Sequence, residues 1–131
     1  MNASDLMTED PMTLPVTAKV KDAVAILQTL EFRHIPIVGS ANELLGMVSD
    51  RDLRSARAAD LEARIVEIMS ADVMSVGPEA DATEVIDLMV DTRVGAVPVV
   101  DQDGGALVGI ISYIDVLRQL RDKLSSEEGE D

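Results

Sequence analysis

The chain repeats itself, and the repeat constrains the fold more than any single motif does. An offset of 62 residues pairs Met7 with Met69, Asp10 with Asp72, Met12 with Met74, Ala18 with Ala80, Pro36 with Pro98 and Val38 with Val100. One extra residue in the second copy shifts the offset to 63, and Gly46, Ser49 and Asp52 then fall on Gly109, Ser112 and Asp115. Two copies of one unit must therefore each build the same short set of elements.

Each copy opens with a short apolar stretch ended by a breaker, Met12-Thr13-Leu14-Pro15-Val16 and Met74-Ser75-Val76-Gly77-Pro78, which reads as an extended segment. A helical pattern follows, with Val20, Ala23, Val24, Leu27 and Leu30 in the first copy and Val85, Ile86 and Met89 in the second, apolar at three- and four-residue spacing. Asp81 and Glu84 suit a capping box at the start of the second of these helices. Two strands come next in each copy. They are Ile35-Pro36-Ile37-Val38 with Leu44 to Val48, and Val97-Pro98-Val99-Val100 with Leu107 to Ile111, joined by turns rich in Gly, Asn and Asp. A proline inside the first strand of each pair argues for an edge position or a strand beginning. A last helix is expected from Asp50 to Ala59 and from Tyr113 to Leu124, with Asp60 to Arg64 as the linker.

Composition narrows the chemistry. The 131 residues are 47% hydrophobic, enough to bury a core, and the opening Met1-Asn2-Ala3-Ser4-Asp5 and the absence of a long apolar run lead to the expectation of a cytoplasmic protein with no membrane segment. There is no cysteine and one histidine, His34, which removes thiol nucleophiles and cysteine-ligated metals. A net charge of −14 repels nucleic acid and anionic membranes, and Phe32 and Tyr113 are too few aromatics for a base-stacking platform. Glu127, Glu128, Glu130 and Asp131 read as a disordered, solubilising tail over residues 125–131.

The candidate chemistry lies in Gly46-Met47-Val48-Ser49-Asp50-Arg51-Asp52 and Gly109-Ile110-Ile111-Ser112-Tyr113-Ile114-Asp115, each placed where a strand runs into a helix. Free N–H groups and the positive end of a helix dipole point out of such a junction. A serine followed three residues later by an aspartate sets a hydroxyl and a two-oxygen acceptor on one side, and a vicinal diol can donate twice to one carboxylate, which suits a ribose. The same Ser–Asp pairs equally describe helix caps, and the two roles are compatible. Asp50 and Asp52 are the acidic pair from which a magnesium site could start, but alternate positions on a helix diverge. No catalytic residue and no metal site are expected, and the chain is not read as an enzyme.

The strand–helix–strand–strand–helix order, the apolar-Pro-apolar-apolar strand and the Gly-x-x-Ser-x-x-Asp ending, present in both copies, resemble the CBS domain family over nearly the whole chain. The resemblance implies an α+β (α/β-type) fold of two β-α-β-β-α repeats, residues 1–60 and 61–124, packed with pseudo-twofold symmetry as a Bateman module that commonly forms a homodimer. It further implies a regulatory module binding an adenosyl ligand in the cleft between the repeats: AMP, ADP or ATP, with S-adenosylmethionine ranked behind, no cofactor required, and an unidentified regulated protein as a possible partner. On this resemblance Asp52 and Asp115, with Ser49 and Ser112, hold the ribose. Arg33 and His34, just ahead of the apolar-Pro strand, and Arg51 reach phosphate. The adenine lies against Thr13, Leu14, Pro15, Ile35 and Pro36, or Val76, Gly77, Val97 and Pro98. The second copy departs from the pattern, with Gly95 and Ala96 in place of the basic pair and Tyr113 and Ile114 in place of Asp50 and Arg51. A ligand-free dimerisation or docking scaffold of the same fold is the alternative.

Overall fold

The computed structural model describes residues 1–28, 33–55 and 59–129. Helix α1 (Ala3–Leu6) and the short strand β1 (Thr8–Glu9) come first. Strand β2 (Leu14–Pro15), helix α2 (Val20–Leu27), strands β3 (His34–Val38) and β4 (Leu44–Ser49) and helix α3 (Asp50–Leu53) build the first repeat. A 3-10 turn (Ile65–Glu67) leads to helix α4 (Ala82–Thr92), strands β5 (Ala96–Val100) and β6 (Leu107–Ser112) and helix α5 (Tyr113–Gly129). The strands form two sheets, β2-β3-β4 and β1-β6-β5.

The compact units cut across the repeat boundaries expected from the sequence. One unit, here the Asp115 unit, comprises Met1–Asp10, Ser75–Val100 and Val108–Asp131, and the other, the Asp52 unit, comprises Pro11–Met74 and Asp101–Leu107. Each repeat's opening segment thus completes the other repeat. In the Asp115 unit the Ala3 N–H donates to the Ala80 carbonyl at 2.8 Å, and Thr8 pairs with Ile110. In the Asp52 unit the matched Ile65 N–H donates to the Ala18 carbonyl at 2.8 Å, and Ser70 bridges Met47. Each unit has its own core. Ala3, Leu6, Ala82, Val85, Met89, Val97, Val99 and Ile111 form one, and Leu14, Ala18, Ala23, Ile35, Ile37, Val48 and Ile65 form the other. Removal of this apolar surface from water is the main stabilising force in each unit.

Several expectations change. β3 is the central strand of its sheet, although Pro36 had argued for an edge or a strand beginning. The reason lies in the ladder: Met47 exchanges both backbone hydrogen bonds with Ser70, so Pro36 faces Met47 across a pair that needs none, and pairing with β2 starts only at Ile37. Asp81 caps α4 through the Thr83 N–H at 2.8 Å, and Glu84 does not complete the box. α5 continues past Leu124 to Gly129, so residues 125–129 are helical where a disordered tail was expected. No proline or glycine interrupts the register before Gly129, and an acidic exposed face is no barrier to a helix. α3 ends at Leu53, short of the expected Ala59, with Arg54 as its C-cap. Residues 56–58 of that expected helix, like Leu30, Phe32, Glu130 and Asp131, lie outside the described residues.

Gly46 and Gly109 are where the opening segments cross the sheets. A β-carbon on Gly46 would stand 2.6 Å from the Met69 sulfur and 2.9 Å from the Ser70 carbonyl oxygen, and one on Gly109 3.0 Å from the Thr8 carbonyl oxygen. Because backbone would have to move, Gly46→Ala and Gly109→Ala are each expected to lower stability by about 1–3 kcal/mol. Gly104→Ala, whose β-carbon would meet nothing within 4 Å, is the control and should be near neutral in urea unfolding.

Candidate functional site

Both junctions are built as reciprocal caps. In the Asp52 unit the Ser49 N–H donates to Asp52 Oδ2 at 2.8 Å, Ser49 Oγ donates to the same oxygen at 3.1 Å, and the Asp52 N–H returns to Ser49 Oγ at 3.2 Å. In the Asp115 unit the same three bonds join Ser112 and Asp115 at 2.7, 3.0 and 3.3 Å. The capping role is therefore real at both positions, and it fixes each carboxylate at the end of its strand. Capping does not exhaust the acceptors, since a carboxylate offers about four lone-pair positions. The described part of α3 is a single turn, so the junction at Asp52 offers a carboxylate and not an anion site on a helix terminus.

The surroundings of the two carboxylates differ. Asp115 is 9% exposed and receives a further hydrogen bond from Thr8 Oγ1 to its Oδ1 at 3.1 Å. In the Asp52 unit, Arg33 Nη1 lies 2.9 Å and Arg54 Nη2 3.4 Å from Asp50 Oδ2. The hydrogen bond from Arg33 holds the Asp50 carboxyl below the usual carboxylate range, Arg54 adding to it. Both guanidinium groups are largely exposed, which makes the pairs weak in stability, and most of their five donors have no partner among the described residues. Arg51 is exposed on α3. At the matched positions of the other unit, Tyr113 is 53% exposed and its N–H donates to the Gly95 carbonyl at 3.1 Å, as the Asp50 N–H does to Arg33 at 3.0 Å.

His34 starts β3 opposite Ser49 and is half-buried. Burial pushes its pKa below 6.5, against the opposing pull of Asp50 and Asp52. Among the residues expected to lie against adenine, Leu14, Ile35, Pro36, Val97 and Pro98 are buried, and Leu14, Ile35 and Val97 belong to the two cores. Pro15 is exposed, and Thr13, Val76 and Gly77 are half-buried. β2 brings Leu14 and Pro15 alongside Ile37 and Val38, and Val76 bridges Val99 in the same parallel sense. The side chains of the buried members are committed to packing, and what they can offer a planar base is strand backbone. Among the described residues no group of three or more His, Asp or Glu could hold a metal, and no helix is long and apolar enough to cross a membrane.

The model of the CBS domain matches residues 3–59 and 65–122, one segment for each repeat. The chain belongs to the CBS domain family. A crystal structure of a candidate acetoin utilization protein (AcuB) from Vibrio cholerae superimposes with a TM-score of 0.89 at 35% identity, covering 100% of this chain and 98% of that one. The CBS domain pair of protein MJ0100, in complex with 5′-methylthioadenosine and S-adenosyl-L-methionine, gives a TM-score of 0.83 at 27% identity over 94% of this chain and 98% of that one. An inosine-5′-monophosphate dehydrogenase from Methanocaldococcus jannaschii is 26% identical over 117 residues, which are 89% of this chain and 23% of the dehydrogenase. The likeness to that enzyme therefore covers less than a quarter of its length.

Thr8 and Arg54 are the neighbours of the CBS junctions that the sequence reading missed. Arg54 stands four residues after Asp50, a spacing that signals a helical ion pair. Thr8 is 107 residues from its partner, and no local signal announces it.

The depressed pKa of His34 has a pH signature. Below pH 6.5 the unfolded chain takes up a proton that the folded chain resists, so stability present above that pH falls as pH drops toward the folded pKa. His34→Gln should remove this component. The difference in melting temperature between wild type and variant, followed from pH 7.5 to 5, should change across this window, and parallel curves would show that His34 is not coupled to folding.

Proposed function

We propose that this CBS pair is a regulatory module that binds an adenosyl ligand, with Asp52 and Asp115 accepting ribose hydroxyls and Ser49 and Ser112 fixing the carboxylates. Arg33, Arg51 and His34 turn toward the phosphates of AMP, ADP or ATP, and Arg54 adds to that charge. The observation that carries the reading is the pair of carboxylates set by identical caps at matched junctions, with acceptor capacity left over. The adenosyl compounds in the complex of protein MJ0100 support the ligand class. In a chain of net charge −14, the arginines around Asp50 are a local concentration of positive charge of the kind a phosphate requires. Occupancy regulates only by favouring one conformation over another, so a dimer partner or a regulated protein would read a population shift.

A ligand-free scaffold has one observation in its favour: Asp50 already pairs with Arg33, and Asp115 already satisfies Thr8. Thermal unfolding with AMP, ADP, ATP and S-adenosylmethionine separates the two. A ligand at about 100 times its Kd adds about 2.7 kcal/mol, which moves the midpoint by roughly 10 °C at this chain length. Asp52→Asn should weaken binding by on the order of tenfold or more. If all four compounds at millimolar concentration leave the midpoint unmoved, the scaffold reading takes its place.

A further inference from the structure

Thr8 and Ser70 are equivalent under the 62-residue offset, and each lies on the segment that pairs with the strand leading into a junction. They nevertheless do different things. Thr8 Oγ1 donates to Asp115 Oδ1 at 3.1 Å, whereas among the described residues no hydrogen bond joins Ser70 to Asp52. Asp115 thus accepts from the Ser112 N–H, the Ser112 hydroxyl and the Thr8 hydroxyl, and both of its oxygens are engaged. Asp52 accepts from the Ser49 N–H and hydroxyl on Oδ2 alone, and Oδ1 is unshared among the described residues.

A diol that donates from both hydroxyls needs two acceptor positions on one carboxylate. Asp52 has them. With about four positions in all and three engaged, Asp115 does not until Thr8 lets go. β1 itself is two residues long, and Asp10 directly after it has a left-handed φ of 48° immediately before Pro11. A residue that precedes proline resists the helical region, and the left-handed region carries its own cost for a residue with a β-carbon. The matched Asp72 precedes Val73 and is not among the positive-φ residues.

We propose that Thr8 is an internal competitor for the Asp115 carboxylate, so that a nucleoside diol engages Asp52 first and binding at Asp115 is coupled to release of Thr8–Glu9 from β6. The proposal rests on the reading of Asp52 and Asp115 as diol acceptors, and it makes the two junctions unequal in affinity and gives the weaker one a mechanical consequence.

The test uses AMP titrated calorimetrically into the full chain. Asp52→Asn should leave a weak site. Adding Thr8→Val, which keeps the shape and removes the donor, should tighten that site by on the order of tenfold, and Thr8→Ala should do the same should the valine disturb β1. Thr8→Ser, which keeps a hydroxyl, should behave as wild type, and Asp115→Asn should abolish the gain. In wild type, saturating AMP should speed hydrogen exchange at the Thr8 and Glu9 amides. If Asp52→Asn and Asp115→Asn each weaken AMP binding but removing the Thr8 hydroxyl leaves the second site unchanged or weaker, the competitor is overturned and the diol reading stands. If neither aspartate variant alters AMP binding, or AMP does not bind, the diol reading falls and the competitor falls with it.

Discussion

The crossing of a short extended segment over a glycine, once in each unit, is the constraint from which the rest follows. Where Met69-Ser70 passes Gly46 and Met7-Thr8 passes Gly109, there is no room for a side chain. The crossing gives β4 and β6 an added backbone partner, which turns the hydrogen bonds of Met47 away from Pro36 and so permits a proline in a central strand. It also brings the opening helical turns down onto the cores, so that Ala3 and Ile65, both fully buried, fill matched places in different units. Three residues beyond each glycine the strand ends in the serine that begins the cap, and three further on the aspartate closes it. A glycine, a serine and an aspartate at fixed spacing are thus one device: close approach, strand exit and a carboxylate held still.

Much of this was legible in the sequence because it is local. The apolar faces of α2 and α4, the paired strands and the Ser–Asp caps depend on residues within a turn or a hairpin of each other, where spacing determines geometry. The position of Pro36 was misread because its tolerance depends on Ser70, a partner in another part of the chain. The reach of α5 was misread because composition at an acidic end suggests solvation, and solvation is compatible with a helix. The exchange of opening segments was invisible for a deeper reason. Its bonds join Ala3 to Ala80 and Thr8 to Asp115, and a repeat read along the chain suggests that each copy closes on itself.

The candidate site was half legible. Type and spacing pointed to Asp52 and Asp115, but what separates them is environment. Asp52 is half-buried and lies two residues after Asp50, which pairs with Arg33 and Arg54. Asp115 is buried, has Tyr113 where Asp50 would be, and is satisfied by a threonine. The charge difference could be read from the sequence, whereas the difference in acceptor occupancy could not.

The way the segments are shared also decides how the chain would carry load. Residues at both ends of the chain belong to the Asp115 unit, while Pro11–Met74 and Asp101–Leu107 are excursions that leave this unit and return to it. A pull applied near residues 1 and 129 would therefore act on α1, β1, β6 and α5, all of which contribute to the Asp115 unit. The hydrogen bonds in that path are those of Met1, Ala3 and Ser4 with the segment from Pro78 to Ala82, and after them the pairing of Thr8 and Glu9 with β6. Tension at the termini and chemistry at Asp115 would then meet at the same short strand, β1.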